Sequence, residues 1–396
     1  MISVKEAINL VLKHSHSLLE KETLTIDRCL NRNLASTVKA PINLPTFRQS
    51  SMDGYALCIG ESSIYKIIGE VKAGDNKNPI LKPGECVRIF TGAMVPDNAS
   101  AVIMQEKAVL KGDKIKIETL VKQKQNIRGV GSQIKKGDNV FEKGQILQPS
   151  GLALLKSLGI NEIDIIRSPK IIIVITGDEL ISTSKTLSRG KVYESNSLLL
   201  QSALDQQGIE TQLIFFAEDT LNSTTSILKK ALSNSDVVLI SGGISVGKYD
   251  FVKQALIKLK VQEIFYKVRQ KPGKPLYFGK KKKTFVFALP GNPASTLCCF
   301  YIYVLPLLCR LKGGQGEGLI NLSIPIAHDY VSNENRALFL KANINKKNIS
   351  VLDRQNSSML ISFAKSNALV YIPEKVNELK KGDYVETFIL PTCILI

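Results

Sequence analysis

The chain of 396 residues has few of the side chains on which several common chemistries depend. It contains no tryptophan and three scattered histidines, His14, His16 and His328, which leave little for a histidine-based metal site or a Ser-His-Asp triad. Its seven cysteines are odd in number and form no Cys-x-x-Cys pair. The sequence therefore gives no support to a disulfide framework or a zinc knuckle.

Long apolar runs are also scarce. The longest, Leu297 to Leu308, contains Pro306 and is well short of the ~20 residues that span a bilayer. We predict a buried helix there and no membrane association. The N-terminus mixes Lys5 and Glu6 into an amphipathic pattern without the layout of a secretory signal, so a cytoplasmic location is expected.

Acidic residues are outnumbered: 35 Asp and Glu face 53 Lys and Arg, for a formal net charge of +18. Such a balance favours an anionic partner, which could be nucleic acid, a membrane surface or a phosphorylated substrate. The basic run Lys280 to Lys283 lies between two β-like segments without interleaved aromatic residues, and we interpret it as an exposed hairpin tip. An anionic small molecule explains the charge as well as nucleic acid does.

The length predicts two to four domains. The pattern predicts a multidomain α/β protein: residues 1–45 plus 135–168 as a split N-terminal α+β domain, 46–134 as an inserted β-rich domain, 169–312 as a central doubly wound α/β domain, and 313–396 as a small β-barrel-like domain. In the central domain, strands at 171–175, 212–216, 237–240, 264–269 and 285–289 alternate with helices near 196–207, 221–233, 251–260 and 294–311. Ile8, Leu12, Leu18 and Leu19 predict a helical stripe at the N-terminus.

Three glycine-containing loops follow apolar runs of the central domain: Thr176 to Leu180, Ser241 to Gly247, and Pro290 to Ser295. In an open parallel sheet, the loops at the carboxyl ends of the strands converge on one crevice where ligands bind. Glycine lets the backbone approach an oxygen-rich ligand closely. We therefore predict that the three loops build one pocket that handles anions.

A basic loop precedes the third of these segments. In Lys271-Pro272-Gly273-Lys274-Pro275, two lysines three residues apart are held by prolines, which suits an oxyanion such as phosphate or molybdate. The alternative is a solvated basic turn. Pro293 and Ser295 stand at the start of a predicted helix, where backbone N–H groups favour anions, although an ordinary capped turn has the same pattern.

Carboxylates occupy the same loops: Asp178, Glu179, Asp219 and Asp250. Mg²⁺ would fit between them and a phosphorylated ligand, although Asp219 could instead cap the helix that follows it. Asp53 and Thr91 lie in glycine-containing polar loops of the β-rich domain. They would reach the same pocket only across a domain or subunit interface.

Eight segments together closely resemble the molybdopterin molybdenumtransferase family (MoeA, to which the gephyrin E domain is related). They occur in the family order and cover most of the chain: Ser51 to Ala56, Arg88 to Ala93, Asn126 to Arg128, Thr176 to Leu180, Ser195 to Ser197, Gly242 to Gly247, Lys271 to Pro275, and Pro290 to Ser295. The resemblance implies an elongated four-domain protomer that forms a homodimer. It also implies insertion of molybdate into adenylylated molybdopterin, with Mg²⁺-dependent release of AMP, to give molybdenum cofactor.

The resemblance further implies an upstream molybdopterin adenylyltransferase and downstream apo-molybdoenzymes as partners. It assigns catalytic roles to Asp53, Thr91, Glu179, Lys267 and Lys271, and Mg²⁺ binding to Asp219 and Asp250. Binding of the substrate or molybdate falls to Arg128, Gly242, Gly243, Ser245, Lys271, Lys274, Pro275, Pro290, Asn292, Pro293, Ser295, Arg336 and Ser358.

Two departures from the family pattern remove negative charge near the implied metal site. Gly131-Ser132-Gln133 stands where the family usually has Gly-Glu-Asp, and Lys248 stands where an acidic residue is frequent. Three alternatives remain open: ATP-dependent adenylylation of molybdopterin, a scaffold role, and nucleic-acid binding. The sequence does not choose between molybdate and tungstate, because the two oxyanions share charge and shape.

Overall fold

The computed structural model describes residues 1–18, 20–244, 251–316 and 318–391. Ser245, Lys248 and Asp250 therefore lie outside the described residues. The chain forms two compact units: Met1–Glu22 together with Ile166–Ile396, and Thr23–Ile165. The finer division into four domains stays a prediction.

In chain order the helices are α1 (Val4–His14), α2 (Pro149–Ser157), α3 (Asn196–Asp205), α4 (Leu221–Ser233), α5 (Phe251–Lys258), α6 (Pro293–Cys299), α7 (Leu305–Leu311) and α8 (Leu360–Ala364). The strands are β1 (Lys21–Thr25), β2 (Val38–Lys39), β3 (Gln49–Ser50), β4 (Gly54–Leu57), β5 (Ile64–Val71), β6 (Glu85–Ile89), β7 (Ala101–Met104), β8 (Ala108–Lys111), β9 (Lys114–Ile117), β10 (Ile127–Arg128), β11 (Asn139–Phe141), β12 (Glu162–Ile166), β13 (Ile171–Thr176), β14 (Leu180–Ile181), β15 (Val192–Tyr193), β16 (Thr211–Ala217), β17 (Val237–Ser241), β18 (Gln262–Tyr266), β19 (Gln270–Lys271), β20 (Tyr277–Lys281), β21 (Thr284–Leu289), β22 (Asn321–Pro325), β23 (Tyr330–Val331), β24 (Ala337–Asn345), β25 (Asn348–Val351), β26 (Ala368–Ile372), β27 (Glu378–Leu379) and β28 (Tyr384–Ile389).

The larger unit is built on a six-stranded sheet in the order β16-β13-β17-β21-β20-β18. The first four strands are parallel, and β20 and β18 continue the sheet antiparallel. β13, β17 and β21 are buried along their whole length, as expected of strands that are covered on both faces. The predicted doubly wound domain is confirmed. The run predicted as a strand at 264–269 is the antiparallel edge strand β18, and the β-like segment predicted just before the basic run is β20.

Helices cover both faces of this sheet because alternate residues of each strand point to opposite sides. Ile171, Ile173 and Ile175 of β13 pack in one core cluster with Leu200 and Leu204 of α3. Ile172 and Val174 pack on the other side with side chains of α4 and α5. The carboxyl ends of the parallel strands are left open between the two layers of helices, which is where ligands bind in such folds.

Helices α6 and α7 form one continuous helix, joined by a π-helical turn at Phe300–Val304. This helix, Pro293–Leu311, is 19 residues long and is the one helix among the described residues that is long and apolar enough to cross a membrane. However, 83% of its most apolar window is buried inside the protein. The prediction of a buried core helix is confirmed, and the helix has nearly the predicted bounds of 294–311.

Helix α1 is shorter than the N-terminal pattern predicted. Ser3 caps its start by accepting a hydrogen bond from the Glu6 N–H at 3.2 Å, and Ser15 is already extended. Val4, Ala7 and Val11 form its buried face. The predicted stripe through Leu18 is therefore wrong, because Leu18 lies beyond the helix, and Leu19 is outside the described residues.

A second sheet forms the C-terminal part of the larger unit, in the order β19-β24-β26-β28-β22 with β25 paired to β24. Alternate apolar residues of these strands enclose a separate core around Leu338, Leu340 and Val370. β19 comes from the loop between β18 and β20, and it pairs in parallel with the start of β24, Lys271 opposite Leu338. This pairing attaches the predicted basic loop to the C-terminal sheet.

The smaller unit contains a six-stranded sheet in the order β7-β4-β6-β5-β9-β8, as the β-rich pattern predicted. Its two faces bury separate clusters, one around Val87 and Ile89 and one around Tyr55 and Ile103. A third cluster packs Leu155 of α2 against the N-terminal segment of the same unit.

Candidate functional site

A cavity of about 550 Å³ lies at the carboxyl ends of β13, β17 and β21. Its described lining comes from the three predicted loops, the β15–α3 segment, Asp219 after β16 and Pro275 of the basic loop: Thr176, Gly177, Glu179, Leu180, Val192, Tyr193, Glu194, Ser195, Asn196, Asp219, Ser241, Gly242, Gly243, Ile244, Pro275, Pro290, Gly291, Asn292 and Pro293. The expected convergence of the three loops is therefore found. Glu179, Asp219, Gly242, Gly243, Pro275, Pro290, Asn292 and Pro293 of the predicted site residues all line this cavity.

Gly242 and Gly243 allow two loops to meet at the cavity floor. Both have positive φ, +94° and +64°. A Cβ on Gly242 would lie 2.4 Å from the Thr176 carbonyl oxygen, and one on Gly243 would lie 2.6 Å from Val252 Cγ2. No larger residue fits at either position without displacing backbone or core atoms.

Asn196, the first residue of α3, ties two of the loops together. Its amide nitrogen donates to Ser241 Oγ at 2.8 Å and to the Gly291 carbonyl at 2.7 Å. These two hydrogen bonds fix the orientation of the amide, so Oδ1 points away from both acceptors. Asn196 Oδ1 and the neighbouring Thr176 Oγ1 are buried and have no hydrogen-bond partner.

The acidic residues beside the cavity are held by backbone hydrogen bonds. Asp219 Oδ2 accepts from the Asp178 N–H at 3.2 Å, and Asp178 Oδ1 accepts from the Asp219 N–H at 3.0 Å. Thr220, not Asp219, caps α4. Burial raises the pKa of Asp219, the Asp178 N–H opposes this, and the charges of Asp178 and Glu179 raise it further. Asp219 is therefore a carboxylate that a cation would stabilise.

The charge of the cavity lining is the reverse of the charge of the whole chain. Glu179, Glu194 and Asp219 face the cavity, and none of its described lining residues is lysine, arginine or histidine. Such a surface accepts hydrogen bonds and attracts cations. A bare anion would therefore be repelled by these described groups.

The cations lie on the loop that attaches to the C-terminal sheet. Lys271 Nζ donates to Glu334 Oε1 at 2.7 Å, and Arg336 donates to Glu334 Oε2 at 3.2 Å and 2.8 Å. The hydrogen bond from Lys271 and then that from Arg336 lower the pKa of Glu334. Two cations share one carboxylate, so this trio carries a net positive charge. The pairing of β19 with β24 brings the two cations together.

A buried polar network holds the backbone of the same basic loop, Lys271 to Pro275. Gln270 is fully buried, and its amide nitrogen donates to the carbonyls of Pro272 at 3.0 Å and Gly273 at 3.4 Å. The Tyr303 hydroxyl donates to the Gln270 amide oxygen. A Cβ on Gly273 would lie 2.5 Å from Cys299 Sγ, so the loop lies directly on α6.

The C-terminal domain supplies a second contact to the cavity wall. Asn292 donates to Ser357 Oγ at 3.2 Å, next to the exposed Ser358. The loop that carries these serines is held by Lys341, which is 1% exposed. Lys341 Nζ donates to the carbonyls of Arg354 at 3.3 Å and Asn356 at 3.2 Å, and burial lowers its pKa.

The other predicted residues of this unit lie around the basic loop. Lys274 is exposed, and its carbonyl accepts from the Val268 N–H at 3.0 Å. Lys267 has a positive φ of +68°, and its Nζ lies 4.8 Å from the centre of the Tyr266 ring. Ser295 is in the first turn of α6 and is 2% exposed. Their roles stay predictions.

In the smaller unit the structure brings together three predicted residues. Asp53 Oδ1 accepts from the Thr91 N–H at 2.7 Å and from the Thr91 hydroxyl at 2.8 Å, and these bonds lower the pKa of Asp53. Arg128 pairs across β10 and β3 with Gln49, whose side chain donates to the Gly92 carbonyl at 3.2 Å. Asp53, Thr91 and Arg128 are exposed.

The acidic cavity is compatible with Mg²⁺ delivered together with phosphates. Among the described residues there is no cluster of three or more His, Cys, Asp or Glu side chains that could hold a metal alone. Mg²⁺ typically uses one or two carboxylates and takes its other ligands from water and phosphate. Asp219 fits that role, and the predicted second ligand, Asp250, lies outside the described residues.

Residue patterns did not reveal Glu334 or Glu194 as part of the site. Glu334 lies 63 residues from Lys271, and a two-residue parallel pairing joins them, which leaves no local signature. Glu194 accepts from the Ser197 N–H at 2.8 Å at the start of α3. Its place just before a helix was the one available signal.

Comparison with known proteins agrees with this architecture. Three family sequence models match: the MoeA N-terminal region (domain I and II) at residues 2–159, a probable molybdopterin binding domain at 172–310, and the MoeA C-terminal region (domain IV) at 323–390. The molybdopterin molybdenumtransferase of Haemophilus influenzae is 33% identical over 396 residues, covering 97% of this chain and 98% of its own. That of Staphylococcus epidermidis is 28% identical, covering 98% and 95%.

A solved structure supports the same conclusion. The molybdopterin biosynthesis moeA protein from Pyrococcus horikoshii OT3 superimposes with a TM-score of 0.84 at 29% identity, covering 98% of this chain and 100% of its own. The fold and cavity define a multidomain α/β protein with a molybdopterin-binding type of domain. The chain belongs to the molybdopterin molybdenumtransferase family, whose members are transferases of molybdenum cofactor biosynthesis.

Proposed function

We propose that this enzyme inserts molybdate into adenylylated molybdopterin and releases AMP in a Mg²⁺-dependent reaction. The observation that carries the proposal is the separation of charge within one site. A cavity with three carboxylates and no cation among its described lining residues lies beside a loop that bears Lys271 and Lys274. The organic substrate and its metal would occupy the first region, and the oxyanion the second.

Lys271, Lys274 and Arg336 are the proposed cationic ligands of molybdate, with Ser295 and Ser358 as hydroxyl donors. Glu334 holds two of the cations in place, so little reorganisation is needed when the oxyanion binds. Pro275, Pro290, Asn292 and Pro293 would form the wall between the oxyanion and the cavity.

Gly242, Gly243 and Ser245 are proposed to bind the organic substrate, with Glu179 and Lys267 in catalytic roles. Asp219 and Asp250 would hold Mg²⁺. When bound, the metal would offset negative charge on the phosphoanhydride. The raised pKa of Asp219 supports this assignment, because a carboxylate without a cation partner gains most from metal binding.

The proposed chemistry balances without an oxidant or reductant. Two thiols of molybdopterin lose their protons and replace one oxygen of molybdate, which leaves as water. One water then cleaves the phosphoanhydride, giving AMP and the phosphate ester of the cofactor. The protein's contribution is to position the two anions and to offset their charge, which accounts for large accelerations in other phosphoryl-transfer enzymes.

The remaining assignments come from the resemblance and from the relatives. Asp53, Thr91 and Arg128 are proposed as catalytic and substrate residues of the smaller unit, where Thr91 holds Asp53 ionised. We also propose a cytoplasmic homodimer that receives its substrate from a molybdopterin adenylyltransferase and delivers cofactor to apo-molybdoenzymes. Sedimentation of the purified protein at twice the monomer mass would support the dimer, and a single-chain mass would reject it.

The test of the function is an assay of two products. Purified protein would be incubated with adenylylated molybdopterin, with and without molybdate and Mg²⁺, and AMP release and activation of a cofactor-free molybdoenzyme would be measured. We expect both signals, each dependent on molybdate and metal. AMP formation from added ATP would indicate an adenylyltransferase instead, and substrate binding without turnover would indicate a binding protein.

A further inference from the structure

We propose that the buried Lys341 sets the affinity for molybdate without touching it, by holding the loop of Ser357 and Ser358 in place. The inference deepens the proposed function and rests on its assignment of Ser358 to the oxyanion. Lys341 lies on β24 and had no role in the assignments made from sequence. It is a positioning residue, because it is 1% exposed and is not among the described lining residues of the cavity.

The first observation is that Lys341 is a buried cation without a carboxylate partner among the described residues. Its Nζ donates to two backbone carbonyls, those of Arg354 at 3.3 Å and Asn356 at 3.2 Å. Burial lowers its pKa, as expected of a charge that its surroundings stabilise poorly. An apolar side chain would fill this core position at less cost, so packing alone does not explain a lysine here.

The second observation is that the loop after β25 is tied to the same point of β24 through the backbone. The Lys341 N–H donates to Gln355 Oε1 at 3.0 Å, and the Gln355 amide nitrogen donates back to the Lys341 carbonyl at 2.8 Å. Arg354, whose carbonyl accepts from Nζ, has a positive φ of +59°. Such a conformation persists where the surrounding structure imposes it. The side chain and the backbone of Lys341 together fix the path of this loop.

The third observation is that the far end of the loop meets the cavity wall. Asn292, which lines the cavity, donates to Ser357 Oγ at 3.2 Å, and the exposed Ser358 follows. The start of β24 pairs with β19, where Lys271 stands opposite Leu338. One strand therefore holds both the basic loop and the serine loop, and Lys341 is its connection to the second.

The consequence concerns affinity more than chemistry. A hydroxyl that is already held in place loses little freedom when it binds a ligand. Without the Nζ hydrogen bonds, the serine loop would have to be ordered by the oxyanion itself. Lys341 should therefore affect the affinity for molybdate, whereas kcat at saturating molybdate should not depend on it.

The test is Lys341→Met, which removes the charge and both side-chain hydrogen bonds and keeps the length of the side chain. Molybdate binding would be measured by calorimetry, together with kcat and KM for AMP release. We expect a dissociation constant and a KM for molybdate about tenfold higher, as for the loss of one hydrogen bond, with kcat unchanged. Lys341→Arg retains the charge and the donors and should restore the affinity. In a Ser358→Ala background, Lys341→Met should add little further loss.

Two further variants separate positioning from stability. Gln355→Met releases the same loop without altering a buried charge, and it should also raise the dissociation constant for molybdate. Ser366→Ala removes a buried hydrogen bond of 2.8 Å to the Phe363 carbonyl near the end of α8. It should lower Tm and leave molybdate affinity as it is. If Lys341→Met does not fold, Lys341→Gln takes its place with the same expected direction.

Several results would overturn the inference. Unchanged molybdate affinity in the Lys341 variant would reject it, and so would a lower kcat at unchanged affinity. A full further loss in the Ser358→Ala background would mean that Lys341 does not act through this serine. A wild-type protein that binds no molybdate would reject the inference as well. Molybdate binding that depends on Lys341, in a protein that releases no AMP, would instead reject the proposed reaction and keep this role.

Discussion

The two ends of the parallel sheet in the larger unit hold their acidic side chains in opposite ways. At the amino end, Asp236 precedes β17 and receives Arg167 in a bidentate pair at 2.6 Å and 3.0 Å, together with the Lys170 N–H at 2.7 Å. At the carboxyl end, Asp219 accepts from the Asp178 N–H at 3.2 Å and has no cation partner among the described residues. Unpaired hydroxyls do not distinguish the two ends, because Thr211 Oγ1 at the start of β16 lacks a hydrogen-bond partner, as Thr176 Oγ1 does at the end of β13.

The pKa values of the two carboxylates express the same difference. Burial alone would raise the pKa of Asp236, but the Arg167 guanidinium and the Lys170 N–H lower it below its usual range. Burial and the neighbouring acids raise the pKa of Asp219 despite its bond to the Asp178 N–H. The paired Asp236 at the amino end therefore stabilises the fold. The Asp219 charge at the carboxyl end destabilises it until a ligand binds.

The largest effect is expected at the amino end. Arg167→Met should destabilise the protein by about 3 kcal/mol, because it leaves the mostly buried Asp236 carboxylate without a partner charge. In a unit of this size, that corresponds to a Tm about 6 °C lower, measured by thermal unfolding. The exposed ion pair of Lys380 and Asp329 offers a matched control.

Lys380→Met should leave Tm unchanged. The comparison between the two ends of the sheet would fail if Arg167→Met were as stable as that control. It would also fail if Arg167→Met weakened pterin or molybdate binding by the folded protein, since the amino end would then serve the site directly.

The next effect concerns the basic loop. Lys271→Met should reduce kcat/KM for molybdate by about 10- to 100-fold, as expected when a charge-assisted hydrogen bond is lost. Binding of pterin-6-carboxylate should not change, because no lysine is among the described residues of the cavity lining. Lys283→Gln removes the same charge from the exposed hairpin tip and should leave kcat/KM as it is. Equal losses in both variants would indicate that net charge, and not this loop, gathers molybdate.

The smallest effect is expected at Asp219. Asp219→Asn should raise Tm without metal by about 1 °C, because it removes a half-buried charge that lies close to Asp178 and Glu179. In the same variant, added Mg²⁺ should no longer stimulate AMP release. A lower Tm would show that the Asp219 charge is already compensated within the protein.

The Asp219 variant also has a pH signature. Because folding raises the pKa of Asp219, the protonated carboxyl stabilises the folded state at pH values below the unfolded pKa, near 3.8. That stabilisation is lost as the pH rises through the folded pKa. The Tm advantage of Asp219→Asn should therefore be complete at pH 7 and shrink as the pH is lowered toward 3.8. Asp353→Asn, at an exposed carboxylate, should show no such trend.

Much of the fold was predictable because its strands are continuous apolar runs. The wholly buried strands β13, β17 and β21 could be recognised as apolar runs in the sequence. Their positions predicted that the three loops lie together at the carboxyl edge of the sheet. The hairpin of β20 and β21 was predicted, and its tip is Lys282 and Lys283, because Lys280 and Lys281 still belong to β20. The place of β20 in the central sheet was not predicted, because an antiparallel addition to a parallel sheet has no distinct local pattern.

The chemistry of the site was harder to predict than its position. The glycines and lysines led to an anion-binding interpretation, but whether a cavity is acidic depends on which side chains face it. Glu334 meets Lys271 through a long-range strand pairing, and the unpaired state of Thr176 follows from three-dimensional packing. Neither property is encoded in a short stretch of residues.

The central claim is the division of the site into an acidic cavity and a cationic loop. The most direct measurement is a crystal structure with adenylylated molybdopterin and tungstate, in which tungsten is located by its anomalous scattering. The account predicts a tungsten peak beside Lys271 and Lys274, with the organic substrate in the acidic cavity. A tungsten peak inside the cavity among Glu179, Glu194 and Asp219 would contradict it.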